Sequence, residues 1–235
     1  MSANADVLRG SEVLRLSARE VALSQVTTVC EMGFWNPEDF AREQIRGLVR
    51  RVFFAGGEPV KKVVFSAAET NIDVASICSQ AARALALETR TQVALVDHAR
   101  GDASSSFICA PSRRNESIRS WSTQMETNLW RVPGNWVGEC GAESGTGLHW
   151  LPCLEKLQSE FEYIVVQGPA AGVSSEAILL GQLTDGIILV LSARSTRKAT
   201  ARKIKETLDA AHCRILGTVL SERTFPIPEQ IYRRL

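Results

Sequence analysis

Short runs of Val, Ile and Leu alternate with segments of helical spacing along most of this chain, and the alternation predicts its architecture. The runs are KKVVFSA (61–67), TQVALVDHA (91–99), EYIVVQG (162–168), DGIILVLSA (185–193) and CRILGTVLS (213–221). A run that is apolar throughout, and not merely at every second residue, marks a strand buried on both faces, as in a parallel sheet covered by helices. Helical segments fall between the runs: Ile72 to Glu88, near Leu148 to Phe161, near Ser175 to Leu183 and near Thr196 to Ala211. The predicted fold is α/β, a doubly wound, mainly parallel sheet with helices on both faces.

Ahead of the first strand an Asn-Pro step opens another helix. Phe40, Ile45, Leu48, Val49, Val52 and Phe53 fall near helical spacing, and Ala55-Gly56-Gly57 ends it. Residues 1–36 show no clear period and close on GFWNP (33–37), so they read as an N-terminal extension. The stretch between residues 100 and 146 reads as irregular. The expected division is an extension over 1–36, one domain over 37–223 and a C-terminal tail over 224–235.

Composition narrows the function classes. At 235 residues the chain can bury a full core without disulfides or metals. Its 27 Lys and Arg against 26 Asp and Glu give a formal charge of +1, which offers no sign of nucleic acid or an acidic membrane as the main partner and leaves only local charged patches open. The six cysteines, Cys30, Cys78, Cys109, Cys140, Cys153 and Cys213, form no CxxC pair and no zinc spacing with a His, so they read as reduced thiols. No apolar run reaches the roughly 20 residues that span a bilayer, and the polar start lacks a signal-peptide core. A cytoplasmic location is expected.

In such a sheet ligands bind at the carboxyl ends of the strands, which singles out the loops after Ala67, Asp97 and Gln167. The first, SAAETNIDVAS (66–76), lies between a buried strand and a helix, where a phosphate-binding loop would stand. Such a loop needs glycines that let amides face the phosphates, a Lys for the transferred phosphoryl, and a Ser or Thr on magnesium. Here Asn71, Asp73, Val74 and Ala75 occupy those positions, followed by Ser76. His98, beside Asp97, has no evident nucleophile with it. His149 and His212 read as packing or surface residues, Trp121, Trp130, Trp136 and Trp150 as core closure under long loops, and Gly145-Thr146-Gly147 as a helix entry.

Two blocks carry a family resemblance. EQIRGLVRRVFFA (43–55) is similar to an E-x-x-R-x-x-R helix: Glu43 and Arg46 match, while Val49 stands at the second Arg with Arg50 beside it. FEYIVVQGPAAGVSSEAILLGQLTDGIILVLSARSTRKAT (161–200) is similar to a stretch from a Walker B strand through the next strand. Together they resemble the cytoplasmic domain of bacterial tyrosine kinases that accompany polysaccharide export, relatives of the MinD and ParA ATPases with a P-loop NTPase-like fold. The resemblance implies two further acidic motifs. The first reads ALVDHARG, keeping Asp97 but placing Ala99 at its second carboxylate. The second reads IVVQGPA, placing Gln167 at the magnesium-side Asp and Ala170 at a Pro. The family's tyrosine-rich tail is reduced to Tyr232, and Tyr163 lies in a strand.

Loss of Lys, hydroxyl and carboxylates together removes charge stabilisation and metal ligands. The expectation is therefore a pseudo-kinase, not an enzyme, without ATP or magnesium as cofactor. It would regulate capsule, exopolysaccharide or adhesin export by binding a membrane polysaccharide co-polymerase or an active kinase paralogue, with Glu43, Arg46 and Arg50 as the interface and at most a weak homo-oligomer. Its place would be cytoplasmic, peripheral to the inner membrane through that partner. Two alternatives stay open: a weakly active nucleotide-binding kinase or ATPase of the same pathway that uses Asp97, and a degenerate MinD/ParA-like localisation factor.

Overall fold

The computed structural model describes residues 37–55, 59–98, 117–134 and 150–222. Helix α1 (Pro37–Phe53) precedes β1 (Lys62–Ala67), α2 (Val74–Thr89) and β2 (Val93–Asp97). A single 3-10 turn (Ile118–Ser120) leads to β3 (Thr123–Glu126) and β4 (Leu129–Pro133). Then come α3 (Trp150–Glu160), β5 (Tyr163–Gln167), α4 (Ser175–Leu183), β6 (Gly186–Ser192), α5 (Lys198–Ala210) and β7 (Ile215–Ser221).

The strands form one seven-stranded sheet in the order β3-β4-β2-β5-β1-β6-β7. Only β3 runs antiparallel to its neighbour. The doubly wound α/β prediction holds. The chain leaves β1 for β2 on one side and returns for β6 on the other, which opens a crevice at the carboxyl end of the central strands.

Burial explains the continuous apolar runs. Val63, Val64 and Phe65 of β1, Val165 and Val166 of β5, and Ile187 and Ile188 of β6 are fully buried. On α2 the buried residues Val74, Cys78, Ala81, Ala82, Leu85 and Ala86 recur at helical spacing, and the alanines let the helix lie close to the sheet. Leu48, Val49, Val52 and Phe53 bury the inner face of α1, while Arg50 reaches across to Glu88 of α2 at 3.0 Å.

One correction concerns the middle of the chain. The part of 100–146 that is described holds a β-hairpin where only irregular structure was expected. Only Leu129 and Val132 of β4 are fully enclosed, and β3 reads TQME with an almost wholly exposed pattern, so neither strand carries the apolar run of a central one. Pairing is what makes them strands: β4 lies parallel to β2 with Val93 opposite Leu129 and Asp97 opposite Pro133.

At the amino edge, Asp185 fastens the centre of the sheet. Its Oδ2 accepts from the backbone N–H of Lys61 at 2.6 Å and of Lys62 at 2.8 Å. Gly186 follows at φ +155, where a Cβ would meet the Arg214 carbonyl at 2.6 Å, so this step requires glycine.

Candidate functional site

The loop from Ala68 to Asp73 bonds to its own fold. The Ala68 N–H donates to the Val190 carbonyl at 2.9 Å and the Ile72 N–H to the Glu69 carbonyl at 3.4 Å. From the next loop, the Ala171 N–H donates to the Ala67 carbonyl at 2.8 Å. Gly172 permits this closeness, because a Cβ there would lie 2.4 Å from the Ala68 carbonyl oxygen. Asp73 is the N-cap of α2, accepting from the Ser76 N–H at 3.3 Å. A carboxylate thus stands at the positive end of that helix, where a phosphate loop would place a phosphate. Val74 is buried, Asn71 and Ser76 are exposed, and Ala75 is half-buried.

Asp97 and Gln167 lie opposite each other at the ends of β2 and β5. Both are buried, at 8% and 7% exposure. Asp97 is tied to a residue that the sequence reading missed: Arg131 of β4 donates through Nη2 to its Oδ2 at 2.6 Å. The other carboxylate oxygen, Oδ1, is buried without a hydrogen-bond partner among the described residues. Beneath it the Cys78 thiol is pushed well above its ordinary value, first by burial and then by the charges of Asp97 and Asp73.

His98 is drawn into a second small cluster. Its Nε2 lies 2.8 Å from Glu176 Oε1, and the Trp150 indole N–H donates to the same oxygen at 3.1 Å. The His98 and Trp150 rings meet edge to face at 4.7 Å. Glu176 and Trp150 were not singled out as site residues, because neither stands near His98 in sequence.

Glu43 and Arg46 lie 3.7 Å apart on α1, each about half exposed. Val49 is buried at 1%, and the hydrogen bond that Arg50 donates to the Glu88 carboxylate raises its already high pKa. Tyr163 packs edge-on against Phe53 at 5.7 Å. Ala170 is half-buried and His212 sits at φ 56 at the end of α5. Ala99, Tyr232, His149, Trp136, Cys30, Cys109, Cys140 and the Gly145–Gly147 turn lie outside the described residues.

With the sheet order and the carboxyl-edge crevice in place, the chain is of the P-loop NTPase-like α/β class. No family model matches it. Among solved structures it is similar to the kinase domain of the Escherichia coli tyrosine kinase ETK, with a TM-score of 0.61 at 14% identity over 80% of this chain and 79% of that one. It is also similar to the VpsO kinase domain, with a TM-score of 0.56 at 18% identity over 80% and 98%. The MinD cell division protein of Aquifex aeolicus gives 0.51 at 14% identity over 74% and 72%. Among curated proteins, the tyrosine-protein kinase CpsD of Streptococcus agalactiae serotype III is 28% identical over 69 residues, which are 29% of this chain. The match spans 30% of that relative's length.

These likenesses correct one expectation. The sequence reading made the chain a non-enzyme, a pseudo-kinase; the proteins it matches are named tyrosine kinases and the structures it matches include kinase domains. That expectation rested on the residues at 71–76, Ala99 and Gln167, which lack the motif side chains. A fold can seat charge differently, as Arg131 does beside Asp97, so absent motif letters do not decide what the site does.

Proposed function

We propose that residues 37–223 are a tyrosine-kinase-like domain working in capsule, exopolysaccharide or adhesin production, and that it acts by docking on a protein, a membrane polysaccharide co-polymerase or a kinase paralogue. The observation that carries this reading is the contrast between two surfaces. On α1, Glu43 and Arg46 stand out into solvent on a helix anchored by Leu48, Val49, Val52 and Phe53. At the loop after β1, the backbone and Asp73 are bonded to the chain itself. The kinase names of the matched proteins support the kinase-like part of this reading, and the pathway follows from the family resemblance of the sequence.

A second reading is a nucleotide-binding kinase or ATPase of the same pathway. It is favoured by Asp97, which keeps its place at the end of β2 with one carboxylate oxygen unpartnered among the described residues. Two measurements on the full chain separate the readings. Saturable binding to the purified cytoplasmic part of a co-polymerase, without added nucleotide, supports docking. A magnesium-dependent heat on adding ATP, abolished by Asp97→Asn, together with no co-polymerase binding, replaces it with the nucleotide reading.

A further inference from the structure

The loop after β6 and the first turns of α5 carry a dense block of positive charge. From Gly186 to Lys205 the sequence has no Asp or Glu, while Arg194, Arg197, Lys198, Arg202 and Lys203 fall within ten positions. All five are exposed. Arg202 pairs with Glu206 at 2.9 Å, whereas Arg194, Arg197, Lys198 and Lys203 make no ion pair among the described residues. Two carboxylates reach this rim, and each bonds to a serine of the loop instead of to a cation: Glu69 accepts from Ser195 Oγ at 3.4 Å and Glu222 from Ser192 Oγ at 2.5 Å.

Helix physics makes this placement unfavourable within the chain. The amino end of a helix is the positive end of its dipole and favours acids, yet the first turn of α5 has none, and Arg197 at the N-cap makes no side-chain cap bond. The loop is also firmly built. Ser192 Oγ accepts from the N–H groups of Arg194 and Ser195 at 3.1 Å each, and the Ser192 N–H donates to Thr196 Oγ1 at 3.0 Å. Cations held there at a cost to the helix are accounted for by an anionic surface outside the chain.

Exposed apolar residues flank the block. Val173, 74% exposed, follows Gly172, where a Cβ would lie 3.3 Å from Ile204 Cδ1 of α5. Leu220, 53% exposed, pairs with Leu191 at the strand ends beside the loop. We propose that this rim binds directly to an anionic lipid surface. Each Lys or Arg near such a surface adds attraction that fades within a Debye length, and apolar tips gain by entering the headgroup region. Nucleic acid phosphates would reward the cations and leave Val173 and Leu220 in water. An acidic peptide fits a groove better, and the cleft of about 170 Å³ lined by Arg51, Phe53, Val60 and Arg214 lies at the opposite, amino edge of the sheet. The contact is separate from α1 and needs no protein partner.

Sedimentation of the full chain with vesicles tests this. Vesicles of equal parts phosphatidylglycerol and phosphatidylcholine should bind the chain at low salt, and pure phosphatidylcholine should not. The triple change Arg197→Gln, Lys198→Gln and Arg202→Gln, which removes three positive charges, should weaken binding at least about tenfold, and Arg194→Gln with Lys203→Gln should do so independently, each with an unchanged circular dichroism spectrum. Val173→Ser should weaken it severalfold and leave the salt dependence intact. The proposal is overturned if the wild-type chain ignores anionic vesicles, if it binds neutral ones equally, or if both charge variants bind as wild type. Binding to duplex DNA or polyglutamate as tight as to vesicles, with Val173→Ser silent throughout, would also overturn it in favour of a general polyanion contact.

Discussion

Arg131 Nη2 lies 2.6 Å from Asp97 Oδ2, so a guanidinium from the hairpin strand β4 neutralises the carboxylate at the end of β2. The two residues stand 34 positions apart. The pairing gives the hairpin a role beyond closing one edge of the sheet, because it sets the charge at the strand ends where the fold's ligands bind.

Removing that guanidinium should be felt. Breaking a buried pair by deleting one partner commonly costs ~3–5 kcal/mol. Arg131 is 39% exposed and water can reach it, so Arg131→Met should cost about 1–3 kcal/mol in urea unfolding. The double change Arg131→Met with Asp97→Asn should recover much of the loss. Strict additivity of the two changes would show that the pair carries no coupling.

Asp185 supplies a second test. One carboxylate oxygen accepts from two successive backbone N–H groups at the start of β1, and hydrogen bonds to a charged group contribute about 1.5–3 kcal/mol each. Asp185→Ala should lower stability by at least about 2 kcal/mol, and Asp185→Asn, which keeps an acceptor, by less. Equal losses for the two would mean that the site is governed by packing.

The Cys78 thiol gives a pH prediction. Its folded pKa is raised by burial and by Asp97 and Asp73, above an unfolded value of about 8.5. The folded chain therefore holds this proton more tightly. The stabilisation is whole below about pH 8.5 and is lost as pH rises toward the folded value. Cys78→Ala should flatten the fall in unfolding free energy between about pH 8.5 and 10, by up to about 1.4 kcal/mol per pH unit. An unchanged slope would place the thiol in contact with water, as would rapid native-state alkylation.

Much of the architecture was legible because burial writes itself into sequence. Helix α4 was read over Ser175–Leu183 and appears with those bounds. The central strands were found within one or two residues, since both faces of β1, β5 and β6 are enclosed. The hairpin was not legible: β3 is polar and exposed, and β4 has two wholly buried side chains at most. At the site, Asp73 was read as a position of a phosphate loop, with the helix starting at Ile72; the helix starts at Val74 and Asp73 is its N-cap. Arg131, Glu176 and Trp150 were hidden for a different reason. Their contacts join residues far apart in sequence, and only the sheet order brings them together.

Docking through α1 is the central claim, and surface immobilisation of a co-polymerase's cytoplasmic part tests it most directly. Glu43 and Arg46 are half exposed, so Arg46→Glu and Glu43→Arg should leave the melting temperature nearly unchanged. The account predicts that Arg46→Glu raises the dissociation constant at least about tenfold, some 1.4 kcal/mol, and that Glu43→Arg weakens binding as well. A folded Arg46→Glu, Glu43→Arg double variant that binds the same partner with the wild-type constant would contradict it.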